Sequence, residues 1–352
     1  MQADAFVLTV AGQPLARRSI SIASPSASEA IVEVEACGLC HTDLGFATGA
    51  VAPKHALPLV LGHEIVGKVV AAGGSYESLV GRKVLVPAVM GCGTCAFCKA
   101  GRGNACPAQK MPGNDIDGGF ASHVLVPAWP LVPIDDAPAT IDTRELSVVA
   151  DAVSTAYQAI RRAALAKGDA AFVVGAGGVG GYAIQIARAM GARVVACDVS
   201  ADKLALVRAH GAEHTIDVAG RAPKDVRKEV HALAREWGIP SVAHRIFECS
   251  GTTEGQLLAY ALLGPAAVMV QVGYTTKPVE LRLSNLMAFD ATVHGTWGCP
   301  HEAYPDVLRM IYAGQVVVHP FVEHAPMSRI NEILDDMAHH RLAKRVVFDP
   351  RT

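Results

Sequence analysis

The sequence predicts an α/β protein in two parts, one β-rich and one built on a doubly wound parallel sheet. Three observations carry this. Short alternating runs lie between glycines and prolines over the first ~150 residues, apolar strands alternate with helical segments from about Ser154, and a glycine-rich turn separates the first of those strands from its helix.

A chain of 352 residues suggests two domains, and 51% hydrophobic against 18% charged residues supplies a core for each. A net charge of −2 gives no reason to expect a nucleic-acid or membrane partner. Nine cysteines, odd in number and unevenly spaced, argue against a secreted disulfide framework. Met1-Gln2-Ala3-Asp4-Ala5-Phe6 shows neither the basic nor the apolar region of a signal peptide, so a cytoplasmic protein is expected. Two charge-free stretches, 170–187 and 255–276, are broken by glycines or by Pro265, Gln256 and Gln271. Each reads as a buried strand plus a helix rather than a membrane span.

Along the first part, Ala30-Ile31-Val32-Glu33-Val34-Glu35 and Gly67-Lys68-Val69-Val70 read as strands joined by loops. Strands then follow at 171–174, 193–197, 214–217, 245–249, 267–272 and 291–294. Helical segments near 179–190, 201–210, 223–237 and 253–263 lie between the first five, which predicts helices on both faces of a parallel sheet. The last ~55 residues return to mixed character, with a helix around 330–340 and a closing strand at 345–348. No repeat or low-complexity tract interrupts the chain.

The stretch "FVVGAGGVGGYAIQIARAMGARVVACDVS" places Gly175-x-Gly177-x-x-Gly180 between a strand and a helix whose apolar positions are Val179, Ala183, Ile186, Ala187 and Met190. Such a turn lets the backbone approach a pyrophosphate, and the helix N-terminus offers it free N–H groups. An acid should close the next strand to accept the ribose hydroxyls, and Asp198 does. A carboxylate there repels a 2′-phosphate, which favours NAD over NADP.

Two clusters read as metal ligands. "CGTCAFCKAGRGNAC" sets Cys92, Cys95, Cys98 and Cys106 at gaps of two, two and seven, suited to a closed, structural zinc site. An iron–sulfur run is the competing reading, but its final gap is three residues. "EVEACGLCHTDLG" holds Cys37-Gly38-Leu39-Cys40, which by itself fits a redox dithiol, half of a metal site or two core thiols. "LGHEIVG" adds His63 and Glu64. Cysteine plus histidine is two thirds of an open zinc site, and residue chemistry alone does not name the third ligand.

"CGLCHTD", "GHE", the four-cysteine lobe, "DGGFASH", "GAGGVGG" and "CDVSADK" fall in the order and spacing of the zinc-dependent medium-chain alcohol dehydrogenases, which the chain resembles over essentially its whole length. The resemblance implies a GroES-like catalytic domain (1–153, with a structural zinc lobe at about 91–107), a Rossmann NAD-binding domain (154–296) and a return to the catalytic domain (297–352). It implies two zinc ions, one structural and one catalytic. The catalytic ion would be held by Cys40, His63 and Asp151, where many relatives have cysteine in place of Asp151, with Glu64 an alternative ligand and Asp43 orienting His63. Cys37 has no role in the family and is expected to be a buried thiol. Zinc would lower the pKa of an alcohol, the Thr42 hydroxyl would take the proton, and hydride would pass to NAD. Gly45 stands where well-known relatives carry a proton-relaying histidine.

For the cofactor, the resemblance implies His41 and Arg345 near the pyrophosphate, and Gly175, Gly177, Gly178, Val179 and Gly180 as its cradle. Asp198 and Lys203 would meet the adenosine ribose, and Cys249, Val272 and Tyr274 would line the nicotinamide side. Within the family the chain most resembles the 6-hydroxycyclohex-1-ene-1-carbonyl-CoA dehydrogenases of anaerobic benzoyl-CoA degradation. The expected substrate is therefore the ring hydroxyl of a cyclic acyl-CoA. A free polyol or simple secondary alcohol is the alternative, as is an enone reductase or hydratase of the same superfamily. Homodimers or homotetramers are the usual assembly.

Overall fold

A computed structural model describes residues 1–351, which fall into two compact units. The first comprises Met1–Ser154, Gly298–Tyr312 and the residues from Val318 on; the second comprises Thr155–Trp297 and Ala313–Val317.

The first unit opens with β1 (Gln2–Leu8), β2 (Ala16–Ser21), β3 (Glu29–Gly38), α1 (His41–Thr48), β4 (Leu59–Val60), β5 (Glu64–Ala72), β6 (Lys83–Val86), α2 (Ala96–Lys99), β7 (His123–Pro127) and β8 (Val132–Pro133). A small sheet has the order β2-β1-β4, and β3 lies in the larger sheet. Along β3, Val32 and Val34 are buried while Glu33 and Glu35 are half-exposed, the period-two pattern of a strand with one face on a core. β3 pairs antiparallel with β5, and Gly38 lies opposite Glu64. This register brings the end of β3 beside the start of β5, so Cys40 and His63, just outside the two strands, become neighbours.

After α3 (Ala152–Arg162), the second unit runs β9 (Ala170–Val174), α4 (Gly180–Ala189), β10 (Arg193–Asp198), α5 (Ala201–Ala209), β11 (His214–Asp217), α6 (Pro223–Glu236), β12 (His244–Glu248), α7 (Thr253–Ala261), β13 (Val268–Gln271), α8 (Ser284–Phe289) and β14 (Thr292–Gly295). The sheet order is β11-β10-β9-β12-β13-β14, with every pair parallel. All five residues of β9 are buried, as expected where helices cover both faces. Pro223 opens α6, where its missing N–H costs no hydrogen bond, and Val226, Val230 and Ala234 turn one stripe inward. The strand order reverses beside β9, the point at which open α/β sheets bind ligands at the strands' carboxyl ends. Both charge-free stretches resolve into a strand and a helix, and no helix of the described residues is long and apolar enough to cross a membrane. The sheet's last strand, β14, exposes Thr292 and Val293, and Tyr274, Leu283 and Met287 nearby in sequence are 70%, 67% and 78% exposed.

The chain then gives α9 (Tyr304–Tyr312), β15 (Val322–Pro326), α10 (Ile330–Ala338) and β16 (Arg345–Asp349), with β16 pairing on β3. Against the boundaries expected from sequence, 313–317 belongs to the second unit. The buried Gln185 side chain holds it there, accepting from Val317 N at 2.8 Å and donating to Val317 O at 3.2 Å.

At the start of β12, His244 is 3% exposed and stacks edge-on against Phe172 at 4.9 Å. Burial pushes its pKa down to about 4, against the Ile239 carbonyl that its ring meets. The unfolded chain takes up this proton near pH 6.5 and the folded chain only near pH 4. This contribution to stability is therefore intact above about pH 6.5 and is lost as pH falls toward 4. In His244→Asn, which cannot titrate, the acid-side loss of stability between those values should shrink by on the order of 2 kcal/mol, read by urea unfolding at several pH values. Parallel pH profiles for the two proteins would contradict this.

Candidate active site

Three side chains remote in sequence converge in the first unit. Cys40 Sγ lies 3.5 Å from Asp151 Oδ2, and His63 Nε2 lies 3.5 Å from the same oxygen. The ligand atoms of Cys40, His63 and Asp151 all fall within 4.8 Å of one another, close enough for one ion to touch all three.

Each is positioned by its local structure. Cys40 caps α1, and the carboxylate of Asp43 in that helix's first turn accepts from Cys40 N at 3.0 Å. The same buried carboxylate accepts from Gly62 N at 3.1 Å and lies 3.3 Å from His63 Nδ1, so Asp43 holds both neighbours of the site. Burial alone would lower the His63 pKa. The Asp43 carboxylate, aided by Asp151 and Cys40, outweighs it and holds the ring well above its ordinary value. A buried pocket that stabilises positive charge on its histidine, with thiol, imidazole and carboxylate donors, fits a divalent cation.

Glu64 lies outside this converging set. Its Oε1 accepts from Ala152 N at 3.1 Å and from Arg345 Nη1 at 2.9 Å, while its buried Oε2 has no hydrogen-bond partner among the described residues. Burial pushes Glu64 up to about 7 against the pull of Arg345. Arg345, expected near a pyrophosphate, commits Nη1 to Glu64 and to the Leu39 carbonyl and is 8% exposed. The Cys-Gly-x-Cys stretch is accounted for by packing. A Cβ on Gly38 would come within 2.1 Å of Glu64 Oε2, so only glycine leaves room for that carboxylate. Cys37 is fully buried on β3 and, like Cys40, is a free thiol. Thr42 Oγ1 stands 3.7 Å from Cys40 Sγ, while His41 beside it is exposed.

The four-cysteine lobe closes around one point. Sγ separations are 3.6 Å for Cys95–Cys98 and Cys95–Cys106 and 4.0 Å for Cys92–Cys98. A tetrahedron of sulfurs at zinc–thiolate distance has edges of about 3.8 Å. An iron–sulfur cluster spreads its thiolates over several irons, so the closeness fits a single ion. Backbone N–H groups of Cys92 and Gly93 point at Cys106 Sγ (3.5 Å) and Cys98 Sγ (3.3 Å), and hydrogen bonds led by the Thr94 hydroxyl pull Cys92 down to about 5. Burial pushes Cys98 the other way, up to about 12 against the pull of the Gly93 N–H, so these contacts favour a thiolate at Cys92 and not at every sulfur.

In the second unit, the carboxyl ends of β9, β10, β12 and β13 carry the residues expected at a dinucleotide. Asp198 Oδ2 accepts from Ala176 N at 2.6 Å and Oδ1 from Ser200 N at 2.9 Å, which fixes the acid beside the glycine-rich turn. A Cβ on Gly180 would lie 1.7 Å from Gly175 O, whereas one on Gly177 would meet no atom within 4 Å. The turn is therefore tight where helix meets strand and open where a pyrophosphate would lie. Gly178 and Val179 complete the turn, and Lys203 donates its backbone N–H to Ser200 Oγ at 3.4 Å. Cys249, Val272 and the exposed Tyr274 stand at the ends of β12 and β13.

Sequence reasoning missed Glu248, directly before Cys249 at the end of β12. It is fully buried, and its Oε1 accepts from Ser250 N (2.8 Å), Ser250 Oγ (2.5 Å) and Gly251 N (3.2 Å). Oε2 accepts from Gln271 Nε2 at 2.6 Å. One carboxylate thus sets the loops on both sides of the expected nicotinamide position. An acid ending an apolar strand directly before Cys249-Ser250-Gly251 was the available signal.

The alcohol dehydrogenase GroES-like domain family matches residues 26–136, and the zinc-binding dehydrogenase family matches residues 178–313. The chain is 35% identical over 358 residues to an NAD-dependent alcohol dehydrogenase of Sulfolobus acidocaldarius, covering 98% of both chains. It is 31% identical over 323 residues to an alcohol dehydrogenase of Geobacillus stearothermophilus, covering 91% of both. Its fold matches galactitol-1-phosphate dehydrogenase from Escherichia coli with a TM-score of 0.85 at 24% identity, covering 99% of this chain and 100% of that one.

Two zinc ions per chain are expected, with unlike behaviour. The closed four-thiolate site should keep its ion in a chelator that strips the three-ligand site, and its eventual loss should lower stability, because a structural metal contributes folding free energy. Metal analysis during timed dialysis checks this. One zinc per chain, or iron with sulfide, would contradict it.

Proposed function

The chain belongs to the zinc-dependent medium-chain alcohol dehydrogenase family, and from that premise we propose that it oxidises a secondary alcohol to a ketone with hydride transfer to NAD. The convergence of Cys40, His63 and Asp151 carries the reading. Those three residues would hold zinc, which as a Lewis acid lowers the pKa of an alcohol oxygen. Asp43 keeps His63 oriented through Nδ1, leaving Nε2 for the metal. Thr42 Oγ1 takes the alcohol's proton and passes its own onward. Gly45 offers no imidazole for the next step, so the exposed His41 and solvent receive it. NAD supplies the hydride acceptor. The glycine turn from Gly175 to Gly180 receives its pyrophosphate, Asp198 its ribose hydroxyls with Lys203 beside them, and the loops around Glu248 its nicotinamide.

A free secondary alcohol or polyol is the favoured substrate class, because the named relatives at 31% and 35% identity are alcohol dehydrogenases. The acyl-CoA substrate expected from sequence draws no support from them. The exposed strand β14 suits edge-to-edge pairing with a second copy, in keeping with a dimer or tetramer. Reduced thiolate ligands suit a cytoplasmic setting.

One assay series tests the function. NAD reduction by secondary alcohols and polyols should be abolished by metal removal and restored by zinc. Cyclohexenol should not fall behind its CoA-ester counterpart in kcat/KM. A strong preference for the ester would revive the acyl-CoA reading, and NADPH-driven enone reduction without alcohol oxidation would replace this one. In Asp198→Ala, NAD should bind about tenfold more weakly and NADP should approach parity, since a charged hydrogen bond and the repulsion of a 2′-phosphate vanish together. An unchanged NAD-to-NADP ratio would remove Asp198 from that role.

A further inference from the structure

Asp151 presents its carboxylate from a break in the backbone. The 3-10 turn Glu145–Ala150 ends before it, α3 begins after it at Ala152, and Asp151 itself has φ −130° and ψ −67°. This residue belongs to neither helical turn, and contacts from elsewhere in the fold bear on the peptide groups on either side of it. On one side Ala152 N donates to Glu64 Oε1. On the other, the Ala150 carbonyl receives the Tyr304 hydroxyl at 2.5 Å and Ala88 N at 3.2 Å. The Ser154 hydroxyl stands 3.2 Å from both the Ala150 and Asp151 carbonyls and 3.3 Å from Tyr304 Oη. Tyr304 and Ser154 are both fully buried, so no water competes for these contacts.

We propose that Tyr304 is a positioning residue for the third metal ligand: through the Ala150 carbonyl its hydroxyl aims the Asp151 carboxylate at the ion. The proposal rests on the zinc reading of Cys40, His63 and Asp151. Tyr304 does not touch the metal and does no chemistry. It fixes the backbone from which the Asp151 side chain projects, and so the position from which its carboxylate reaches the ion. Supporting partners of metal ligands typically change affinity by about 10–100-fold when removed.

The test compares wild-type, Tyr304→Phe and Tyr312→Phe holoenzymes. Tyr304→Phe keeps the ring and removes only the hydroxyl. Tyr312 lies at the other end of α9, its hydroxyl buried without a hydrogen-bond partner among the described residues, and serves as the control. Each protein is mixed with a zinc-binding dye, and the rapid and slow phases of zinc release are recorded. The rapidly released ion is then replaced by cobalt(II) and its visible d–d spectrum taken. In Tyr304→Phe the rapid phase should accelerate by about 10–100-fold and the cobalt bands should shift. The slow four-thiolate phase, the melting temperature of the zinc-loaded protein and KM for NAD should stay at wild-type values while kcat falls. Ser154→Ala, which removes a neighbouring hydroxyl from the same carbonyl, should accelerate the rapid phase to a smaller degree and carries the test if Tyr304→Phe does not fold. Rapid release at the wild-type rate in these variants, or equal acceleration in Tyr312→Phe, would overturn the positioning role. A wild-type protein lacking any rapidly released zinc would instead overturn the zinc reading beneath it.

Discussion

The buried carboxylate of Glu64 ties the candidate zinc site together. It begins β5 directly after His63, accepts from the backbone of Ala152 directly after Asp151, and pairs with Arg345 at the start of β16. Cys40 follows β3, whose Gly38 makes room for that carboxylate and lies opposite it in the β3–β5 register. Segments 88 and 281 residues from Glu64 thus share one fixed point. Breaking a buried pair by removing one partner leaves an uncompensated charge, at a typical cost of about 3–5 kcal/mol. Arg345 therefore supports the candidate site from behind, by pairing with the carboxylate that anchors the backbone beside His63 and Asp151.

The two units solve the same problem with similar means. Asp43, Glu64, Asp198 and Glu248 are carboxylates that accept backbone N–H groups from loops lacking a regular ladder. An ionised carboxylate makes such a bond roughly twice as strong as a neutral one, and Glu64, pushed up to about 7 by burial, does so only in its ionised form. Under the proposed function this would serve binding: with Ala176 N and Ser200 N on its two oxygens, Asp198 is fixed beside the glycine turn where a ribose would lie. Preorganisation of that kind reduces the ordering cost of binding.

Much of this was legible in the sequence because local chemistry enforces it. The glycine turn after an apolar strand, the four clustered cysteines and the helix opened by Pro223 each carry their cause within a few residues. Element ends shifted by one or two residues, as for the predicted helix 253–263, which forms as Thr253–Ala261. Asp151 was different. Nothing around it marks a ligand: it ends a 3-10 turn in an irregular conformation, and only tertiary contacts bring it to Cys40 and His63. It was reached through the family resemblance, not through spacing. The resemblance in turn could not foresee that Glu64 Oε1 bonds Ala152 N and Arg345, because both partners are remote in sequence. Tyr304 was illegible for the same reason, since Ala150 and Ser154 are remote from it in sequence, whereas Glu248 had a local signal that was passed over. The Cys-Gly-x-Cys stretch is the converse case, in which a local pattern suggests a redox pair and the packing of Gly38 against Glu64 explains it instead.

The claim on which this account rests is that Asp151, in place of the cysteine of many relatives, completes a zinc site with Cys40 and His63. Diffraction from crystals of the zinc-loaded protein, recorded on both sides of the zinc absorption edge, tests it most directly. Two anomalous peaks per chain are predicted, one inside the four-cysteine lobe. The other should lie about 2.3 Å from Cys40 Sγ and about 2.0–2.2 Å from His63 Nε2 and an Asp151 oxygen. A second peak coordinated without Asp151, or no peak beside Cys40 and His63, would contradict it.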